Sequence, residues 1–275
     1  MGKPLVSIII PSYNQGQFIR ETIESCLCQD YRPIEVLVVD GASTDDTLAV
    51  LAEYDDVPEV SWISEPDSGP VEAVNKGFKL AKGEIGAIQS SDDYYLGKTV
   101  VSEVVKAFVE DSELGLVFGS TGSHEEDLQK PSKKFSLLKL FSRDIWVPQS
   151  SAFFILEYAR KLGGWDERFP YCPDTELWFK LAINYKVKMI HKTFSVVRFH
   201  DGQRDKHTRK IYESYHRMVN ESEWLKKVSF WERAALKAGA HQLVMIYDPG
   251  YSKFHFLKSR IKSVLYFPPI FLNEK

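Results

Sequence analysis

Short runs of apolar, often β-branched residues alternate with amphipathic segments through the first half of the chain. The apolar runs cover residues 6–10, 35–39, 60–64, 84–89 and 114–119. Between them, apolar residues recur at helical spacing over residues 18–29, 46–54, 70–81 and 99–110. Largely apolar strands separated by helices are typical of parallel sheets that helices cover on both faces. We therefore predict an α/β fold with a mostly parallel central sheet flanked by helices.

The second half of the chain has a less regular pattern. It predicts a strand at 150–155, a short helix at 157–162, a turn at Gly163-Gly164 and a helix at 174–184. Residues 205–240 are charged and mostly helical in pattern. Near the end of the chain, basic residues are interspersed among apolar ones at helical spacing, namely Phe254, Leu257, Ile261, Val264 and Leu265. We expect residues 205–275 to form a C-terminal helical region.

Length and composition are those of an ordinary globular protein. The chain has 275 residues, of which 44% are hydrophobic and 27% are charged. This length suits either one large α/β domain or a domain with a helical appendage. No apolar run approaches the roughly 18 to 20 residues that cross a bilayer. The first residues lack the layout of a signal peptide, so the sequence favours a cytoplasmic location.

Charge is distributed unevenly along the chain. Residues 1–200 carry 21 Lys and Arg against 30 Asp and Glu, whereas residues 201–275 carry 14 against 8. The acidic part is suited to holding cations. The basic part either faces anionic lipid or is a solvated helical surface. No feature of the sequence indicates a nucleic-acid partner.

Polar residues follow three of the predicted strands. Asp92-Asp93 comes after the run at 84–89, Asp40 after the run at 35–39, and Pro11-Ser12-Tyr13-Asn14 after the run at 6–10. Ligands of open α/β sheets bind at the carboxyl ends of the strands. Paired carboxylates in apolar surroundings are costly unless they hold a cation or sugar hydroxyls. The acidic pair therefore indicates a ligand site, with a solvated acidic turn as the alternative.

The turn after Asp40 limits which nucleotide-binding classes fit. Gly41 permits a tight turn, and Ser43 or Thr44 can cap the following helix. The dinucleotide fingerprint G-x-G-x-x-G and the P-loop pattern are both missing from the sequence. A dehydrogenase and a P-loop NTPase are therefore disfavoured.

Several motifs, in this order, carry a resemblance to a known family. They are residues 6–14, the turn at 40–45, Asp67-Ser68-Gly69 with Ala73, Asn75 and Gly77, and Ser91-Asp92-Asp93. Over about residues 5–200 the chain resembles the family 2 glycosyltransferases of A-type fold. The family usually has Asp-Gly-Ser where this chain has Asp40-Gly41-Ala42, a small change that leaves the turn intact.

The resemblance implies a nucleotide-sugar donor, with UDP the commoner nucleotide among relatives. The donor-side residues would be Pro11, Tyr13, Asp40 and Asp67 around the nucleoside, with Asp40 accepting from the base, and Asp92 at the ribose or donor sugar. Mg²⁺ or Mn²⁺ would be held by Asp93, and His200 would complete the metal shell or contact the phosphates. The alternatives are purely structural roles. Tyr13 would be a packed aromatic, Asp67 a turn aspartate and His200 an ordinary exposed histidine.

On the acceptor side, the resemblance implies that Asp174 is the general base. Relatives often have Glu-Asp there and this chain has Pro173 before Asp174, so Glu176 stays an alternative, as does a purely structural helix cap. Trp165, Asp166 and Trp178 would contact the acceptor, unless the tryptophans belong to the core.

Together these features predict a metal-dependent, inverting glycosyltransferase. Residues 1–204 would be the catalytic domain, with about 1–112 binding the donor and 113–204 facing a glycan or lipid-linked acceptor, as in polysaccharide or glycolipid assembly. The basic terminal segment would either contact the inner face of a membrane or pack against the catalytic domain. A nucleotidyltransferase and a non-catalytic nucleotide-sugar-binding protein are the alternatives.

Overall fold

The computed structural model describes residues 2–122, 134–200 and 208–247. The chain divides into two compact units. We call the first the sheet unit; it consists of Met1–Ser132, Val147–Glu167 and Pro173–Asp201. We call the second the helical unit; it consists of Lys133–Trp146, Arg168–Cys172 and Gly202–Lys275.

The sheet unit is built on a mixed sheet of eight strands: β1 (Val6–Ser12), β2 (Ile34–Asp40), β3 (Val60–Ser64), β4 (Ile85–Ile88), β5 (Tyr94–Tyr95), β6 (Leu114–Gly122), β7 (Ala152–Ile155) and β8 (Lys186–Val196). Their spatial order is β3-β2-β1-β4-β7-β6-β8-β5. Strands β1 to β4 pair in parallel, as do β6 and β8. Strand β7 runs antiparallel to β4 and β6, and β5 runs antiparallel to β8.

The helices of the sheet unit follow its strands. They are α1 (Ile19–Leu27), α2 (Thr47–Ala52), α3 (Pro70–Leu80), α4 (Val100–Glu110), α6 (Leu156–Lys161) and α7 (Pro173–Asn184). The predicted α/β architecture is confirmed, with strands and helices of the first half starting and ending within a few residues of the predicted bounds. The long strand β8 and the two-residue strand β5 were not predicted.

The core on one face of the sheet lies against α1 and α4. Val6, Ile8 and Ile10 of β1 point into it because alternate residues of a strand share a face. Helix α3 covers the other face, where a Cβ on Gly77 would lie 2.4 Å from the Ile9 side chain. Gly77 therefore allows α3 to approach β1 closely. These two layers fix the carboxyl edge of β2-β1-β4, where the polar residues lie.

The helical unit contains α5 (Leu137–Phe141), α8 (Thr208–Glu221) and α9 (Phe230–Tyr247). Phe141 stacks on Trp224 with ring centroids 6.2 Å apart. The predicted helical character of residues 205–240 is present from Thr208 onward. The amphipathic segment at 254–265, for which membrane contact and packing against the catalytic domain are the alternative predictions, lies outside the described residues. Within the described part of the chain, no helix combines the length and apolar character needed to span a bilayer.

Candidate active site

The loops that follow β1 and β2 are joined by hydrogen bonds. The Asn14 amide donates to Ser43 Oγ at 2.7 Å, and the Thr44 amide donates to Asn14 Oδ1 at 2.8 Å. Asn14 and Ala42 both have left-handed backbone, with φ of 53° and 60°. Tyr13 projects from this double loop with 59% of its surface exposed. An exposed aromatic on a rigid loop is available to stack on a planar ligand.

The carboxylate of Asp40 is enclosed at the end of β2. It is 0% exposed. Asp40 Oδ2 accepts from the Ser43 amide at 2.9 Å and from Ser64 Oγ at 2.7 Å, while Oδ1 accepts from Ser43 Oγ at 2.5 Å. These three hydrogen bonds offset the free-energy cost of burying the charge of Asp40. In this structure Asp40 therefore fixes the turn after β2 and ties it to β3.

Asp67 is the more accessible carboxylate at this strand end. Its Oδ1 accepts from the Gly69 amide at 2.8 Å, and the side chain is only partly buried. Burial, and more weakly the charges of Glu72 and Asp40, raise the pKa of Asp67 above its ordinary value. A Cβ on Gly41 would lie 3.0 Å from both carboxylate oxygens of Asp67. Gly41 thus makes room for Asp67, while the left-handed position of the turn falls on Ala42.

Asp93 is a buried carboxylate beside a second carboxylate. It is 5% exposed. Burial and then the charge of Asp92 raise the pKa of the Asp93 carboxyl to about 7, against hydrogen bonds from Ser150, the Arg198 amide and Ser90. The Arg198 amide donates to Asp93 Oδ1 at 3.3 Å. The ionised pair is therefore strained electrostatically unless a cation neutralises it.

His200 lies against the acidic pair. Its Nε2 is 2.9 Å from Asp92 Oδ2, and its ring lies against Phe18, with centroids 4.7 Å apart and the ring planes tilted by 35°. The segment after β8 thereby returns to the carboxyl end of β4. Arg198 in the same segment donates to the Asp92 main-chain oxygen and pairs with Glu21 of α1. The structure thus brings Asp92, Asp93 and His200 together.

The residues around Asp93 fit a hard divalent cation that also binds phosphate oxygens. Carboxylate and imidazole are suitable ligands for Mg²⁺ or Mn²⁺, and a cation would lower the repulsion between Asp92 and Asp93. Among the described residues, no group of three or more His, Cys, Asp or Glu side chains is arranged to hold a metal ion. If a cation binds here, Asp93 and His200 would supply only part of its coordination shell, and phosphate oxygens of a bound diphosphate would have to supply the rest.

Asp174 and Glu176 lie in the first turn of α7 in different environments. Asp174 is partly exposed, whereas Glu176 is 2% exposed. Lys180 Nζ lies 2.8 Å from Glu176 Oε2 and also donates to the main-chain oxygens of Leu162 and Gly164. Glu176 is thus engaged in a buried ion pair that secures the loop before α7. Asp174 is the more accessible acid of the two.

The tryptophans predicted to contact the acceptor are buried. Trp165 is 3% exposed and Trp178 is 1% exposed, and the Trp178 ring packs on Phe154 with centroids 5.5 Å apart. The side-chain amide of Asn75 donates to the Trp165 main-chain oxygen at 2.8 Å and accepts from its amide at 2.9 Å. Both indoles therefore serve packing here. Asp166, the next residue, is partly exposed.

Several residues that shape the site have no role assigned to them from the sequence. Ser150 and Arg198 contact Asp93 or Asp92, and Asn75 holds the loop before α7. Only Asn75 carried a signal, because it stands within the motif around Asp67. Ser150 and Arg198 come from segments remote in sequence from the acidic pair: Ser150 lies just before β7, which pairs with β4, and Arg198 follows the unexpected strand β8.

The sequence of the chain is similar to those of known glycosyltransferases. The model for the family described as "Glycosyl transferase family 2" matches residues 7–160. An uncharacterized glycosyltransferase of Rickettsia typhi is 30% identical over 274 residues, which span 93% of this chain and 82% of that protein.

Two solved structures share the fold. Staphylococcus aureus TarS, solved with UDP-GlcNAc, superposes with a TM-score of 0.70 at 18% identity, over 95% of this chain and 79% of that one. The mannosyltransferase PcManGT of Pyrobaculum calidifontis, solved with GDP-Man and Mn²⁺, gives a TM-score of 0.64 at 20% identity, over 98% and 82%. These likenesses show the A-type glycosyltransferase fold.

Proposed function

Since the chain belongs to glycosyl transferase family 2 and is a glycosyltransferase, we propose that it moves a sugar from a UDP-sugar to a hydroxyl of a glycan or glycolipid. Transfer proceeds with inversion and with a divalent cation on the donor. The observation that carries the proposal is the buried Asp93 beside Asp92 and His200 at the carboxyl end of β4. Similar structures hold UDP-GlcNAc in one case and GDP-Man with Mn²⁺ in another.

The nucleoside lies at the ends of β1, β2 and β3. Tyr13 stacks on the base, and Pro11 lines the same surface. Asp67 accepts a hydrogen bond from the base, because its carboxylate is accessible while all the polar contacts of Asp40 are made within the protein. Asp40 acts on the nucleoside indirectly, by holding the turn that contains Gly41. This division assigns to Asp67 the base contact that the family resemblance assigned to Asp40.

Asp93 and His200 hold the cation, and Asp92 contacts the ribose or the donor sugar. When bound, Mg²⁺ or Mn²⁺ stabilises the negative charge that gathers on the departing nucleoside diphosphate. Arg198 keeps the acidic pair in place through the Asp92 main-chain oxygen and, with its own amide, through Asp93 Oδ1. The Asp92 contact in turn orients the His200 ring.

Asp174 takes the proton of the acceptor hydroxyl as that oxygen attacks the anomeric carbon. The oxygen displaces the nucleoside diphosphate in one step, so the sugar inverts. A general base must be reachable by its substrate. Asp174 meets this condition better than Glu176, which is buried and paired with Lys180.

The other parts of the chain are assigned to the donor side, the acceptor side and the C-terminal region. Residues up to about 112 bind the donor, and residues 113–204 face the acceptor. Asp166 lies on the acceptor side, and Trp165 and Trp178 support that side from the core. Thr208–Glu221 and Phe230–Tyr247 are helical. The basic terminal segment lies outside the described residues, and it either contacts a membrane that carries a lipid-linked acceptor or packs against the catalytic domain.

A screen of nucleotide sugars for metal-dependent hydrolysis tests this function. The protein is incubated with UDP-sugars and GDP-sugars, with Mn²⁺ or with chelator, and released nucleotide is measured. We expect release from a UDP-sugar in the presence of Mn²⁺ that the Asp93→Asn variant lacks. Release that is independent of the metal and unchanged in this variant would contradict the proposal.

A further inference from the structure

Helix α1 presents a line of polar side chains to the protein interior. Thr22 is 0% exposed, Ser25 is 8% exposed, and Gln29, just beyond the helix, is 3% exposed. The buried face of a helix next to a sheet is ordinarily apolar. Buried polar side chains persist where they satisfy other polar groups. We call Thr22, Ser25 and Gln29 the polar edge of α1.

The polar edge binds the main chain that follows β4. Ser25 Oγ accepts from the Tyr95 amide at 3.1 Å, and Gln29 Nε2 donates to the Gly97 oxygen at 2.8 Å. Gln29 Oε1 accepts from the Val101 amide at 3.2 Å. This stretch has little regular secondary structure before α4, so the side chains of α1 supply partners that a sheet would otherwise provide.

Thr22 contacts the part of this segment that carries the acidic pair. Its hydroxyl lies 2.9 Å from the Ser91 oxygen and 2.6 Å from the Asp93 oxygen. A hydroxyl has one hydrogen, so the two carbonyl oxygens share it. Because these oxygens stand on either side of Asp92, the shared hydrogen bond curves the main chain around the Thr22 side chain.

We propose that Thr22 is a positioning residue: its buried hydroxyl holds the turn that carries Asp92 and Asp93 in the shape that presents both carboxylates to the donor and its cation. The inference rests on the proposed function of that pair. Thr22 touches neither the donor nor the cation and acts through the main chain. Without the hydroxyl, two buried carbonyl oxygens lose their donor, and the turn relaxes to find others.

Substitution of Thr22 separates the hydroxyl from the shape of the side chain. Thr22→Val keeps the branched shape and removes the donor, whereas Thr22→Ser keeps the donor. Ser7→Ala is a matched control, because Ser7 is also 0% exposed and its hydroxyl accepts from the Gly83 amide at 2.7 Å. Ser7 lies near the start of β1, at the other end of the strand from the proposed donor site.

The readout is the affinity for Mn²⁺ in the presence of UDP, measured by electron paramagnetic resonance, with a parallel series in GDP. We expect Thr22→Val to bind Mn²⁺ about tenfold more weakly, which corresponds to about 1.4 kcal/mol. Thr22→Ser should stay within about twofold of the wild type, since the hydrogen bond is kept. Ser7→Ala should lower the melting temperature and leave the affinity unchanged.

Three results would overturn the positioning role. They are unchanged Mn²⁺ affinity in Thr22→Val, an equal loss in Thr22→Ser, and an equal loss in Ser7→Ala. If the wild-type protein fails to bind Mn²⁺ both in the presence of UDP and in the presence of GDP, the proposed function is wrong, and the inference about Thr22 with it. If Thr22→Val does not fold, Thr22→Ala replaces it with the same expectation, because it also removes the hydroxyl that the Ser91 and Asp93 oxygens share.

Discussion

The carboxylate of Asp67 occupies the space beside Gly41 that a side chain would otherwise fill. Both carboxylate oxygens lie 3.0 Å from the position that a Cβ on Gly41 would take. The backbone of Gly41 is not left-handed, whereas Ala42 has a φ of 60°. What this turn requires at Gly41 is therefore space rather than conformational freedom.

Gly41→Ala should weaken nucleotide binding without unfolding the protein. The added methyl group would displace the partly exposed Asp67 side chain, at a cost of about 1 to 3 kcal/mol if the site cannot relax. Calorimetric titration with UDP should show at least about tenfold weaker binding. Ala42→Gly is the control, since it relieves the left-handed alanine and should leave UDP affinity unchanged. Equal affinities for wild type and Gly41→Ala would refute the crowding argument.

Asp40 and Asp67 should respond differently to the same substitution. Asp40→Asn removes charge from an enclosed acceptor of three hydrogen bonds, so the free energy of unfolding should fall by about 2 to 3 kcal/mol. Asp67→Asn should leave stability nearly unchanged and reduce affinity for UDP. Urea unfolding and calorimetry on both variants measure the two effects. Weaker UDP binding in Asp40→Asn, together with a loss of stability in Asp67→Asn, would mean that Asp40 contacts the base.

The stability of the metal-free protein should depend on pH through Asp93. Burial and the charge of Asp92 raise the pKa of this carboxyl from 3.8 to about 7 in the folded state. The folded state therefore binds more protons than the unfolded state between these values, and this contribution to stability is lost as pH rises through 7. The Asp93→Asn variant should not lose stability in this way as the pH rises. The difference in melting temperature between the variant and wild type, measured without metal, should grow in favour of the variant as pH increases. A constant difference would mean that Asp93 does not titrate in this range.

Substitution of Asp174 should affect catalysis, whereas substitution of Glu176 should affect stability. Asp174→Asn should keep affinity for the donor nucleotide and lose transfer, because the acceptor proton has no base to receive it. Glu176→Gln should destabilise the fold by about 3 kcal/mol, since it leaves the largely buried Lys180 without its counter-charge. Unfolding curves and transfer assays on both variants measure these effects. Normal turnover in Asp174→Asn would remove Asp174 from the mechanism.

The features that could be predicted from the sequence are those that depend on short stretches of the chain. Strands β1 to β4, the helices between them and the acidic residues at their carboxyl ends follow from apolar periodicity and motif order, since each signal lies within a short window. The different roles of Asp40 and Asp67 were not predictable in this way. They depend on which carboxylate the turn encloses, which is a property of packing between β2, β3 and the loop after β3.

The contacts around Asp93 required the three-dimensional structure. Arg198 and His200 reach the acidic pair only because β8 runs beside β6 and the chain then returns to the end of β4. Thr22 looked like an unremarkable helical residue, because nothing in its sequence neighbours reveals which main chain its hydroxyl meets. Long-range pairing thus decided the surroundings of residues whose types were evident from the sequence.

The central claim is that Asp93 holds a cation together with the diphosphate of the donor. Titration of UDP into wild-type protein and Asp93→Asn, each with Mn²⁺ and with chelator, tests it most directly. We expect Mn²⁺ to strengthen UDP binding by at least about tenfold in the wild type, a gain of about 1.4 kcal/mol, and to have no effect in the variant. Equal strengthening by Mn²⁺ in both proteins would contradict it.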